Sequence, residues 1–118
     1  MNKPIKCISV QEARTLQDNW VNSRGTSIQN LRNEEDSREV VYSVAELEEF
    51  LAYVKSQSLK KGIANPGVRI YFASYNDAKS TRATVFLSAT DSGDADSNND
   101  YDISPFNKAG NGWPPNIY

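Results

Sequence analysis

The side chains best suited to chemistry or recognition in this chain are Arg69, Tyr71, Tyr75 and Asp77, with Arg38 upstream of them. Arg69 carries a planar fork of donors matched to carboxylate or phosphate. A tyrosine adds a rigid apolar ring with a polar tip, and this pairing of residue types is common at recognition sites. On a β-strand, Arg69 and Tyr71 project from one face because successive side chains alternate, with Tyr75 at the strand end. Two chemistries follow. A binding face would use Arg38, Arg69, Tyr71 and Tyr75 to hold a polar small molecule or a protein segment. An enzyme would take Asp77 or a helix carboxylate as its base and Arg69 to stabilise developing negative charge. No acid–base pair stands at a suggestive spacing, so the sequence offers a surface rather than a reaction. The 118 residues include no histidine, which removes the usual general base, the partner of Ser or Cys nucleophiles and the commonest transition-metal ligand. Cys7 has only Lys6 and Ile8 beside it and reads as a small, half-buried hydrophobe rather than a reactive thiol.

A second chemical candidate is the run from Asp91 to Asp102, which carries five carboxylates and no cation. Asp94, Asp96 and Asn98 match the first three ligand positions of an EF-hand loop. The match then fails, because Asn99 stands where the turn needs glycine and Pro105 where a bidentate glutamate belongs. A polar loop is expected there, with no metal and no cofactor assigned; a calcium-binding module built on Asp94 to Asp102 is the weaker alternative.

Helix, turn and strand signals coincide between Val40 and Tyr75, and these elements must position the candidates. Ser43 and Glu46 form a capping box, and Leu47, Phe50, Leu51 and Val54 follow at helical spacing. Lys60, Lys61 and Gly62 end that helix. An Asn65-Pro66-Gly67 turn then leads into a strand from Val68 to Tyr75, with Val68, Ile70 and Phe72 expected to point inward and Arg69, Tyr71 and Ala73 outward. After a short polar loop, Thr84 to Thr90 forms the antiparallel hairpin partner. Earlier in the chain, a Ser9–Glu12 box and apolar residues at Val10, Ala13, Leu16, Trp20 and Val21 predict a helix from Val10 to Asn22 that Arg24-Gly25 should end. Thr26 to Ser37 is polar, anchored by Ile28 and Leu31, and predicts one helical turn or an ordered loop. Arg38 to Tyr42 reads as a short edge strand, which a second copy of the chain can pair with.

Ile103 to Tyr118 holds Phe106, Trp113, Ile117 and Tyr118 among three prolines, so an extended strap anchored by Trp113 is expected. The alternative is a Trp113-Pro114-Pro115 ligand for a proline-binding groove, which lacks a spaced PxxP. The whole is one α+β domain over residues 1–118: a small, mainly antiparallel sheet of two to four strands packed against two amphipathic helices.

The net charge of −2 and the scattered lysines and arginines show no footprint for nucleic acid. No apolar run reaches the length of a membrane span, and residues 1–9 lack the apolar middle of a signal peptide. A cytoplasmic protein, with neither nucleic acid nor membrane as partner, is the expectation. The helix Ser43 to Lys61, the Gly62-Ile63 turn and the Val-Arg-Ile-Tyr-Phe-Ala-Ser-Tyr strand together resemble a pattern in small uncharacterised proteins of Bacteroidetes-type bacteria. The resemblance spans Arg38 to Thr90. It implies a single-domain bacterial protein and carries over no activity or site residue.

Overall fold

Serine caps start two helices where the sequence predicts them. The Ser9 hydroxyl accepts the Glu12 backbone N–H at 3.0 Å, and helix α1 (Val10–Trp20) follows. Ser43 and Glu46 make the full reciprocal box ahead of α3 (Val44–Lys60): the Glu46 N–H donates to the Ser43 hydroxyl at 2.9 Å, and the Ser43 N–H donates to the Glu46 carboxylate at 3.1 Å. The Ser43 N–H, then its hydroxyl, hold the Glu46 carboxyl below its usual value. At the other end of α3, Ile63 N–H reaches Ser58 C=O and Gly62 N–H reaches Leu59 C=O. This is the Schellman pattern, and it needs the left-handed φ of +76° that Gly62 supplies.

The computed structural model describes residues 1–111, 113 and 115–118. Between α1 and α3 the chain departs from expectation, because Arg24-Gly25 does not end the first helix. A π-helical turn (Val21–Gly25) carries it into a second helix, α2 (Thr26–Arg32), where a single turn or a loop was predicted. Two hydroxyls ease the passage by bonding backward to backbone carbonyls, Ser23 to Asn19 at 2.6 Å and Thr26 to Val21 at 2.8 Å. Gly25 keeps helical angles, and a Cβ there would sit 3.1 Å from the Trp20 ring. Glycine here makes room for an indole instead of breaking the helix. The true stop is Asn33, in the left-handed region at φ 59°.

Strands β2 (Gly67–Ser74) and β3 (Ala83–Thr90) form the predicted hairpin, antiparallel from Gly67↔Thr90 to Ser74↔Ala83. The short strand expected at Arg38 to Tyr42 is β1 (Val40–Val41), and it pairs antiparallel with β4 (Gly110–Asn111) from the C-terminal strap. Residues 99–106 line the far edge of β3 through bridges Thr90↔Asn99 and Leu87↔Phe106. The architecture is therefore a small α+β fold, as predicted.

The core gathers Phe50 and Val54 of α3, Leu87 and Ala89 of β3, and Ile103 of the strap, with Tyr42, Leu47, Val68, Val85 and Phe106 packed around them. The Phe106 ring stacks on Phe50 at 4.8 Å and lies 4.9 Å from Tyr42. Burial, with smaller effects from Tyr75 and Glu46, pushes the Tyr42 phenol above its usual pKa. Farther along the strap, the Arg82 guanidinium sits 3.6 Å over the Trp113 ring, and Asn116 donates twice to the Glu39 carboxylate. Pro114 of the Trp113-Pro114-Pro115 motif lies outside the described residues. Among the described residues no helix is long and apolar enough to cross a membrane.

One expectation about β2 is half met. Val68, Ile70 and Phe72 share the face that carries the core, as their pairing with Ala89, Leu87 and Val85 requires. Core material covers only Val68. Ile70 is 61% exposed and Phe72 94% exposed, whereas Arg69 and Tyr71 on the opposite face are half-buried.

Candidate functional site

Arg69 and Tyr71 stand side by side on β2, and the loop after β3 folds back over them. The Arg69 guanidinium donates to Asn99 Oδ1 at 2.7 Å, to Ser97 C=O at 2.8 Å, to Ala95 C=O at 3.1 Å and to Ser97 Oγ at 3.4 Å. The amide of Asn99 completes the link by donating to the Tyr71 hydroxyl at 2.7 Å, while the Tyr71 ring stacks on Phe86 at 4.9 Å. That Asn99 donor, and Arg69 more weakly, hold the Tyr71 phenol below its usual pKa against the effect of burial. A guanidinium engaged with two carbonyls and an amide oxygen is already serving as a loop clamp. The acidic segment is thus an ordered lid on the sheet. Within it, the Asp91 carboxylate accepts from Asn98 and Ser92 bonds to Asp94; among the described residues, no three Asp, Glu or Cys side chains group as metal ligands would.

The remaining candidates are dispersed. Tyr75 donates its hydroxyl to Asn107 Oδ1 at 3.0 Å, and the Asn107 amide donates in turn to Val85 C=O at 2.7 Å, so this tyrosine helps tie the strap to β3. Asp77 accepts the Lys79 and Ser80 N–H groups at 2.8 and 3.0 Å and shapes the exposed hairpin turn. β2 runs on for five residues from Arg69 to Ser74, roughly 17 Å at the usual rise, before that turn. The structure therefore does not bring Asp77 and Arg69 to a common ligand position. Arg38 lies 3.8 Å from the Glu35 carboxylate and borders a groove on the α1 side, away from the Arg69 clamp.

A charged cluster that sequence reasoning missed joins Lys61, at the end of α3, to the returning chain. Its ammonium donates at 2.8 Å to both Asp100 Oδ1 and Asp102 Oδ2. Asp100 is only 8% exposed, and its Oδ2 has no partner. The Lys61 ammonium lowers the Asp100 carboxyl pKa, and Asp100 first, then Asp102, raises that of Lys61. Lysine and aspartate here lie 39 residues apart, so no local pattern could reveal the pair.

An apolar groove opens between the α1 arm and the sheet. Ile8, Leu16 and Trp20 of the α1 arm face Val40, Phe72 and Val85 across a groove of about 470 Å³. Ile8 and Leu16 are themselves more than half exposed. The described chain has a radius of gyration of 16.5 Å, against about 13.5 Å for a compact domain of this length. The helical arm stands off from the sheet and leaves this groove unfilled. The sequence did carry the signal for Ile70 and Phe72, as the apolar half of an alternating strand, but the number of helices able to cover that face was overestimated.

Comparison with family models, with curated proteins and with solved structures gives no match. The pattern over Arg38 to Thr90 accordingly remains a resemblance.

Proposed function

We propose that this protein is a non-catalytic interaction domain whose ligand is a polypeptide, and that its contact surface is the apolar side of β2 together with the adjoining α1 groove. The observation that carries this reading is Phe72, a phenylalanine in the middle of a regular eight-residue strand with 94% of its surface open to solvent. Leaving such a ring in water forgoes about 1.5–3 kcal/mol that burial would return. Ile70 lies two residues away on the same face, and Leu16 extends the patch across the groove. The polar side chains that would suit a small polar ligand, Arg69, Tyr71 and Tyr75, are each already hydrogen-bonded within the chain. Arg38, at the groove rim, supplies a polar border of the kind found around apolar contact patches.

Photo-crosslinking tests this directly. A benzophenone side chain at position 72 should form covalent adducts with a polypeptide, its own or another, well above the yield from exposed Ser56 on α3. Equal yields from the two positions would refute the reading.

A further inference from the structure

β3 makes hydrogen bonds along both edges, and β2 along only one. The Tyr75 N–H donates to Arg82 C=O in the register of the hairpin, which fixes the alternation along the ladder. Gly67, Arg69, Tyr71 and Ala73 turn their backbone groups toward β3, and Val68, Ile70, Phe72 and Ser74 turn theirs away. On β3 the matching outward residues are Ala83, Val85, Leu87 and Ala89, and every one is engaged. Ala83 N–H donates to the Asp36 carboxylate at 2.7 Å, and Val85 C=O accepts from Asn107. Leu87 exchanges both bonds with Phe106, and Ala89 C=O accepts from Asp100. Among the described residues no hydrogen bond reaches the outward groups of Val68, Ile70, Phe72 or Ser74. The usual protections of a strand edge are also missing from β2: it holds no lysine, no proline and no bulge over eight residues.

We infer that β2 pairs with β2 of a second copy of this chain, antiparallel about a two-fold axis at Tyr71. The inference rests on the interaction reading above and names its partner. In that register Val68 meets Ser74 of the second copy and Ile70 meets its Phe72, so all four outward residues on each strand are used and eight backbone hydrogen bonds form. Ile70 and Phe72 become cross-strand neighbours, an aliphatic–aromatic pair of the favoured kind. Arg69, the one charge on the strand, meets Ala73, so like charges do not oppose each other. The clamp under loop 95–99 holds the Arg69 side chain back over β3 and clear of the seam. A single strand edge with one aromatic and one aliphatic anchor per copy buries less than the ~800 Å² per partner of a standard interface. The dimer is therefore a weak one that dissociates on dilution.

Sedimentation velocity over a concentration series, with the full chain and two variants, tests this. Ile70→Pro removes an N–H that faces away from β3, so it keeps the hairpin and breaks the seam. Phe72→Lys places a charge at a fully solvated position and guards against misfolding of the first variant. The expected result is a concentration-dependent dimer in the natural chain and monomer in both variants at the same concentrations, with circular dichroism unchanged in Phe72→Lys. A natural chain that stays monomeric up to about 1 mM, or a dimer that persists in Phe72→Lys, overturns the inference. A monomer that still crosslinks from position 72 to another polypeptide sinks self-pairing and leaves the interaction reading standing; a monomer without adducts sinks both.

Discussion

Replacing Arg69 with alanine removes the fastener that holds loop 95–99 on the sheet. Three of its four contacts are at 3.1 Å or less, and two of the acceptors are backbone carbonyls that then lose a charged donor. A hydrogen bond to a charged group contributes about 1.5–3 kcal/mol, and the partial exposure of this site lets water replace some of it. The net loss should be about 2–3 kcal/mol. At roughly 4 °C per kcal/mol for a chain of this length, the midpoint of thermal unfolding should fall by about 8–12 °C. Arg69→Lys keeps the charge and loses the fork, so about half of that fall is expected. Hydrogen exchange locates the effect: the Asp91 and Asn98 amides, bonded at 3.0 Å within the loop, should lose protection, while the Asp100 amide on the β3 ladder should lose less. A midpoint within about 2 °C of the natural chain, or unchanged exchange at Asp91 and Asn98, would refute the clamp.

Three further outcomes are expected. Ser43→Ala removes the hydroxyl that caps α3 and should cost about 1 kcal/mol, read from chemical denaturation; no change would mean that the box contributes nothing. Phe50→Ala empties the centre of the core beneath Phe106 and should cost about 3–5 kcal/mol, with a loss under about 1 kcal/mol showing that α3 is not packed as described. The Lys61–Asp100 pair sets a pH dependence. Asp100 is depressed below its ordinary 3.8, so its contribution is full above that value and is lost as pH falls through the lower folded value. Lys61 is raised above 10.5, so its contribution holds below that pH and is lost as pH rises beyond it. Lys61→Met should flatten the acid limb of stability against pH, and an identical acid limb in the variant would contradict the pairing.

The legible parts of the fold were those set by residues within a few positions of each other. Ser43 with Glu46, and Gly62 after Lys61, each act over one turn of chain, and each does what its type predicts. Gly67, read as the last residue of a turn, is instead the first residue of β2, paired with Thr90. The alternation of Val68, Ile70 and Phe72 with Arg69 and Tyr71 also gave the correct division into two faces. Which face would be covered was not readable, because cover comes from segments distant in sequence. Asn99 lies 30 residues beyond Arg69, and α3 reaches Leu87, Ala89 and Val68 but leaves Phe72 bare. Polarity misled for a physical reason: a half-buried arginine is stable where carbonyls converge on it, and a single strand does not reveal where they will be. Gly25 misled in the same way, since its small size serves the Trp20 ring in space.

Hydrogen exchange along β2, followed residue by residue at low and high protein concentration, tests the central claim most directly. In dilute solution the amides of Arg69, Tyr71 and Ala73 should be protected by β3 and those of Val68, Ile70, Phe72 and Ser74 should exchange freely. At high concentration the second set should gain protection. Protection of Ile70 and Phe72 already present in the dilute monomer, or the absence of any alternation along the strand, would contradict an open β2 edge as the surface through which this protein acts.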